Sequence, residues 1–117
     1  MCLLLTYRFI VNLQHNQDVS FHFDPRWNSQ GASAPLVAYN YKVNGVWGSE
    51  QRKSVPFPFA KGSPFKLHYT CDTTNWHLAV DNVHYLTFPH HVDFNLIDKI
   101  YIYGNVDIDS VNQYYKL

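Results

Sequence analysis

Two short stretches hold side chains that could do chemistry together. The first is Phe21-His22-Phe23-Asp24-Pro25-Arg26-Trp27. Successive side chains on a strand point to opposite faces. Phe21 and Phe23 then face a core, while His22, Asp24 and Arg26 form a row on the other side. The second stretch is Trp47-Gly48-Ser49-Glu50-Gln51-Arg52. Glu50 and Arg52 share a face, and strict alternation puts Trp47 on the opposite one. Gly48 could supply a bulge that re-aims the indole onto the polar side. If the strand carrying Asn40 lies between the two stretches, one face holds His22, Asp24, Arg26, Asn40, Glu50 and Arg52 beside Trp47. Such a face suits a sugar ring. Hydroxyls both donate and accept, so charged planar groups can bind neighbouring pairs of them. The apolar C–H face of the ring stacks on an indole.

Each stretch alone has a plainer reading. His22, Asp24 and Arg26 could be a solvated face with an ion pair that contributes little. Trp47 could be ordinary core packing. The joint spacing is what favours a binding face. Catalysis is less favoured. His22 beside Asp24 resembles half of a general-base arrangement, but no Ser or Cys nucleophile sits in a setting such as a GxSxG turn. Glycan hydrolysis needs two carboxyl groups about 5–9 Å apart, and Asp24 and Glu50 are the candidates. Their basic neighbours would hold both ionised, leaving no general acid. The expectation is a protein that is not an enzyme. No cofactor is implied. The chain has seven histidines, but adjacent His90 and His91 would point to opposite strand faces, so no metal site is expected.

The elements that would position these residues read as short strands. The 117-residue length suits one domain. Eight Phe, nine Tyr and three Trp favour strands and binding faces. Period-two alternation recurs at 65–71, more loosely at 76–81, and at 99–103 and 106–109 around a Gly104-Asn105 turn. Earlier strand candidates are 7–13, 19–24, 36–41 and 46–52. Pro25 has no N–H for a ladder, so the strand carrying His22 should bend or end there. A turn of helix or a loop is expected at 95–99. Turn signals at 16–18, 28–34, 44–45, 61–64 and 72–75 separate these runs. The pattern is an all-β sandwich or barrel.

Composition narrows the partners. Nine basic residues balance nine acidic ones, which disfavours nucleic acid. The apolar segment 1–5 is too short for a signal peptide or a membrane span. Cys2 and Cys71 read as free thiols of a reducing compartment. The expected location is cytoplasmic, with any export to the extracellular space independent of a signal peptide.

The motifs resemble those of the galectins, the β-galactoside-binding lectins. Their pattern of H-x-N-P-R, V-x-N and W-x-x-E-x-R is met here by His22-Phe23-Asp24-Pro25-Arg26, Ala38-Tyr39-Asn40 and Trp47-Gly48-Ser49-Glu50-Gln51-Arg52. The flanks agree at Phe9 to Leu13, at Val55-Pro56-Phe57-Pro58-Phe59 with Gly62, and at Ile100 to Val111. The resemblance implies two antiparallel sheets in a jelly-roll sandwich that binds galactose on the concave sheet. It implies that His22 and Arg26 bind the axial 4-hydroxyl and that Asn40 and Glu50 hold the 6-hydroxyl. Trp47 would stack on the ring, and Arg52, with Glu50 and Arg26, would reach the next sugar.

Two departures carry expectations. Asp24 stands where the family usually has Asn, which keeps the acceptor and loses the amide donor. It could still orient His22 or Arg26, so the expectation is altered rather than lost affinity. The N-terminus looks about two strands short. An exposed edge and core surface would follow, with lowered stability or a homo-oligomer. The competing reading is a galectin-like domain that has lost sugar binding and works through protein contacts.

Overall fold

The computed structural model describes residues 7–27 and 34–113. These form an antiparallel β-sandwich, as expected. The strands are β1 (Phe9–His15), β2 (Asp18–Arg26), β3 (Leu36–Val43), β4 (Val46–Trp47), β5 (Gln51–Lys53), β6 (Leu67–Cys71), β7 (Asn75–Val80), β8 (Val83–Pro89) and β9 (Lys99–Gly104). One sheet has the order β4-β3-β2-β1-β9, with β5 also paired to β3, and the other has the order β6-β7-β8. A short 3-10 turn, Phe94–Leu96, precedes β9. The expectation of a helical turn or loop at 95–99 falls here. Cys71 is a free, exposed thiol, whereas Cys2 and residues 28–33 of the expected 28–34 turn lie outside the described residues.

Tight turns set the registers. β3 and β4 are joined by Asn44-Gly45, with φ of 53° and 78°. Two successive left-handed residues match the twist of a two-residue hairpin. Asp81-Asn82 does the same between β7 and β8, with φ of 50° and 67°.

The two sheets bury an aromatic core. Phe9, Phe21, Phe23 and Phe88 are almost completely enclosed, and the Phe21 and Phe88 rings stack across the sandwich at 4.9 Å. A register shift in β2 lies between Val19 and His22 against β3. It coincides with Ser20, which is buried and whose Oγ accepts the Trp76 indole N–H at 2.8 Å. A bulge thus turns a polar side chain inward, and the opposite sheet satisfies it.

One strand was not foreseen, and two expectations, an end of the strand at Pro25 as the alternative to a bend and a strand at 106–109, are corrected. β2 does not end at Pro25 but runs on to Arg26. Pro25 falls between the Val11↔Phe23 pair and the isolated Arg8↔Arg26 bridge, in a gap of the β1 ladder where its missing N–H is tolerated. Residues 83–89, unassigned from sequence, form β8. Its alternation is broken because Tyr85 and Leu86 are both buried next to a register shift between Leu78 and Ala79. Residues 106–109, expected as a strand, form none. Val106 packs on the core, but among the described residues no strand lies alongside to give 106–109 a ladder.

Candidate functional site

The site is built on the face of the six-stranded sheet that points away from β6-β7-β8. Directly opposed residues of antiparallel strands share a face. Asn12, His22 and Asn40 are opposed across β1, β2 and β3, and Asp24, Ala38 and Arg52 across β2, β3 and β5. The face therefore gathers His22, Asp24, Arg26, Asn40 and Arg52, as expected from their spacing.

An alternating chain of charges crosses this face. Arg8 Nε and Nη2 donate to the two oxygens of Asp24 at 3.2 and 2.7 Å. Arg26 Nε and Nη2 donate to Asp24 Oδ2 at 3.1 and 2.8 Å. Arg26 Nη2 also donates to Glu50 Oε1 at 2.9 Å, and Arg52 Nε donates to Glu50 Oε2 at 2.9 Å. Burial would push the Asp24 carboxyl up, but His22, Arg26 and Arg8 outweigh it and hold the group below the usual carboxylate range. Glu50 behaves alike: burial is overcome by Arg52 and Arg26. Burial would lower Arg26, yet Asp24 and Glu50 raise it further. Asp24, Arg26 and Glu50 are therefore ionised near neutral pH. The fixed geometry of the chain of charges limits the side-chain entropy that a ligand would otherwise have to remove.

His22 is oriented from the neighbouring strand by a residue that its own motif does not contain. Its Nδ1 lies 2.7 Å from Asn12 Oδ1. A carbonyl oxygen can only accept, so Nδ1 donates this hydrogen bond. The ring's Nε2 lies 3.7 Å from Asp24 Oδ2. The signal for Asn12 was a single polar residue inside the apolar run Phe9-Ile10-Val11-Asn12-Leu13.

The indole reaches the same face by the expected interruption. β4 and β5 are separated at 48–50, and Trp47 pairs with Lys42. Its ring meets His22 edge-on at 4.9 Å and is 46% exposed. Gly48 is what permits this path. A Cβ there would sit 2.4 Å from Tyr41 Cε1. Gly48 N–H donates to Tyr41 O, and Gly48 O accepts from Asn40 Nδ2 at 2.8 Å. Asn40 Oδ1 in turn accepts the Tyr41 N–H. Asn40 is thus buried and committed mainly to holding the 48–50 segment.

Asp24 was expected among the contacting groups, and the structure places it beneath them. Its side chain is 0% exposed, covered by Arg8 and Arg26. Arg8, absent from the sequence candidates, lies over it with 39% of its side chain exposed. Only the three-dimensional pairing reveals Arg8, because it precedes β1 and is 16 residues from its partner. Beside it an open cleft of about 400 Å³ is lined by Arg8, Ile10, Tyr103, Gly104 and Asn105. Among the described residues, no cluster of three His, Cys, Asp or Glu side chains is placed to hold a metal ion.

Comparison with known proteins gives this face its context. The chain is 33% identical over 107 residues to galectin-3 of Canis lupus familiaris, a match covering 90% of this chain and 35% of that protein. The chain spans between about a third and 43% of the length of the galectin-3 relatives it matches. Among solved structures, Caenorhabditis elegans galectin LEC-6 superposes with a TM-score of 0.73 at 25% identity, covering 85% of this chain and 66% of that one. An ancestral congerin gives 0.74 at 30% identity, covering 85% and 74%. A model of the galactoside-binding lectin family matches residues 3–113. The chain therefore belongs to the galactoside-binding lectin family.

Proposed function

We propose that this domain binds β-galactosides of the lactose and N-acetyllactosamine type on the open, concave face of its six-stranded sheet, without catalysis. The observation that carries the reading is the fixed ion chain lying beside an exposed, edge-oriented Trp47. His22 is held through Nδ1 by Asn12 with its Nε2 edge beside Asp24, and Arg26 has its guanidinium held by two carboxylates. These two are the groups assigned to the axial 4-hydroxyl. Trp47 offers the indole for the C–H face of galactose. Glu50 and Arg52 border the neighbouring sugar. Asp24 acts from below through its arginines rather than by touch. Asn40 contributes chiefly by holding the Trp47 segment, with its remaining amide hydrogen toward the 6-hydroxyl. Both carboxyls are held ionised by arginines, so neither is suited to general-acid work.

A titration with lactose, glucose and mannose, followed by Trp47 fluorescence, tests this. Lactose should quench or shift the emission and the other two should not. Absence of any lactose response, with no retention on lactose-agarose, overturns the reading in favour of a protein-contact module. That alternative draws on Asp24, whose carboxylate is wholly spent on internal bonds. Release of free galactose from a galactoside would instead indicate a hydrolase. Self-association belongs to the same proposal, because β9, the last strand of its sheet among the described residues, exposes Ile100, Tyr101 and Tyr103. A monomer in sizing measurements would count against it.

A further inference from the structure

We propose that Arg8 is a positioning residue of the binding face: Arg8 and Asp24 act as one unit, in which Arg8 holds a carboxylate at position 24 so that Asp24 can fix Arg26 for the ligand. The proposal rests on the galactoside reading for its effect on binding, but the unit itself is a matter of geometry.

Burial makes the case first. With no exposed surface, Asp24 cannot reach a ligand, so any influence must pass through the groups bonded to it. The hydrogen bonds are unevenly shared. Oδ2 accepts from Arg8 Nη2 and from both Nε and Nη2 of Arg26. Among the described residues, Oδ1 takes its hydrogen bond from Arg8 Nε. Removing Arg8 strips Oδ1 of that donor and leaves a buried carboxylate with one guanidinium, which costs more than the bond itself was worth. The carboxylate would then be expected to protonate or move, and Arg26 would lose its anchor.

The backbone places Arg8 independently of Asp24. Arg8 forms an isolated bridge with Arg26. Its N–H donates to Asn105 Oδ1 at 3.2 Å, and its carbonyl accepts the Asn105 N–H at 2.7 Å. Gly104, at φ +109°, passes so close that a Cβ would lie 2.6 Å from the Arg8 carbonyl oxygen. The end of β9 therefore clamps Arg8 above β2. The clamp matters because the carboxylate and the second cation depend on each other. With an amide at position 24, Arg8 has no anion to neutralise. With a carboxylate there, two cations on one side and Glu50 behind Arg26 complete an alternating series.

A two-by-two set of variants tests this: the natural protein, Arg8→Gln, Asp24→Asn and the double change. Lactose affinity and urea unfolding are measured on all four. Arg8→Gln should weaken lactose binding about tenfold in the natural background and less than about twofold when Asp24 is already Asn. Arg8→Lys keeps a charge but not the two-pronged geometry, so it should recover only part of the loss.

A pH profile separates this from simple damage. The groups facing Asp24 are Arg8 from the lead into β1, His22 and Arg26 on β2, and Tyr103 on β9, with Glu50 acting through Arg26. Asp24 is held below its ordinary range, so its contribution is lost as pH falls through its folded value. Without Arg8 that value rises, so acid loss of unfolding stability should begin at a higher pH in Arg8→Gln, and Arg8→Gln should cause no such shift in the Asp24→Asn background.

Equal losses in both backgrounds, or an unmoved acid profile, would overturn the unit. The unfolding data keep the two claims apart. Coupling in urea without any lactose binding overturns the galactoside reading and leaves the pair standing. Lactose binding without coupling overturns the pair.

Discussion

β2 and β9 have the same alternating pattern and opposite fates. β2 lies inside its sheet, laddered to β1 on one side and β3 on the other. Its Phe21 and Phe23 are wholly buried, and its His22, Asp24 and Arg26 are interlocked on the far face. Among the described residues β9 pairs with β1 alone. Ile102 is half-buried, while Ile100, Tyr101 and Tyr103 remain exposed. Tyr101 and Tyr103 meet edge-on at 5.3 Å, and they lie on the same face as the ion chain. Alternation alone thus yields a face, but pairing on both sides makes the face rigid. A rigid row of polar groups needs neighbours that supply counter-charges from two directions, and β2 has Arg8 on one side and Glu50 on the other.

The largest expected effect breaks the comparison at its core. Phe21→Ala should cost about 3–5 kcal/mol, because a stacked ring against Phe88 and edge contacts to Phe23 and Tyr69 are lost with little room for collapse. Ile100→Ala on β9 should cost about 1 kcal/mol, since much of that side chain is already in water. Urea unfolding of the two variants measures the difference. Similar costs would mean that β9 is buried in solution by something that covers its edge.

How far the sequence foretold these two strands follows from the same contrast. The alternation of 21–26 predicts both faces of β2, and the interruption at Gly48 predicts that Trp47 comes round to the polar face. The pattern did not reveal Arg8 or Asn12, because a partner across a ladder is set by register, which single-strand periodicity does not encode. It missed β8, where a register shift puts Tyr85 and Leu86 inside together. It overread 106–109, whose alternation is as good as that of 99–103. Strand formation needs a neighbour to receive its hydrogen bonds, and periodicity says nothing about whether one is present. The row of 21–26 puts Asp24 on the polar face, where it could orient His22 or Arg26, but does not foretell its burial under two arginines, one of which lies outside the row.

A smaller effect sharpens the comparison at the Trp47 end of the face. Gly48→Ala should cost about 1–3 kcal/mol by overpacking, since the added methyl meets the Tyr41 ring and Asn40 Oδ1. Tyr41 cannot yield freely, because its ring stacks on His91 at 3.6 Å. The 48–50 segment should move instead, taking Trp47 away from His22. The fluorescence response to lactose should fall more than stability does. A variant that keeps full lactose response would show that Trp47 is placed by β4 pairing rather than by Gly48.

The smallest effect concerns acid, and it separates the interlocked row from the rest of the molecule. Asp24 and Glu50 both sit below their ordinary carboxylate ranges, with burial opposing the shift and arginines producing it. A depressed folded value means stability that is present above the unfolded value and lost as pH falls through the folded one. For an aspartate the unfolded value is about 3.9, so the contribution of Asp24 should be complete at pH 7, nearly intact at pH 5, and lost progressively as pH falls below about 4 toward the folded value. Asp72 at the start of the β6–β7 turn is also held low, first by His77 and then by the Thr74 and Asn75 N–H groups. Whole-protein acid sensitivity therefore mixes two regions. Asp24→Asn subtracts the Asp24 share of the first and leaves Glu50 and Asp72 in place. The drop in urea midpoint between pH 7 and pH 3 should be smaller in Asp24→Asn than in the natural protein. An equal drop would place the acid sensitivity outside Asp24, and the arginines around it would then be compensating its burial without adding net stability.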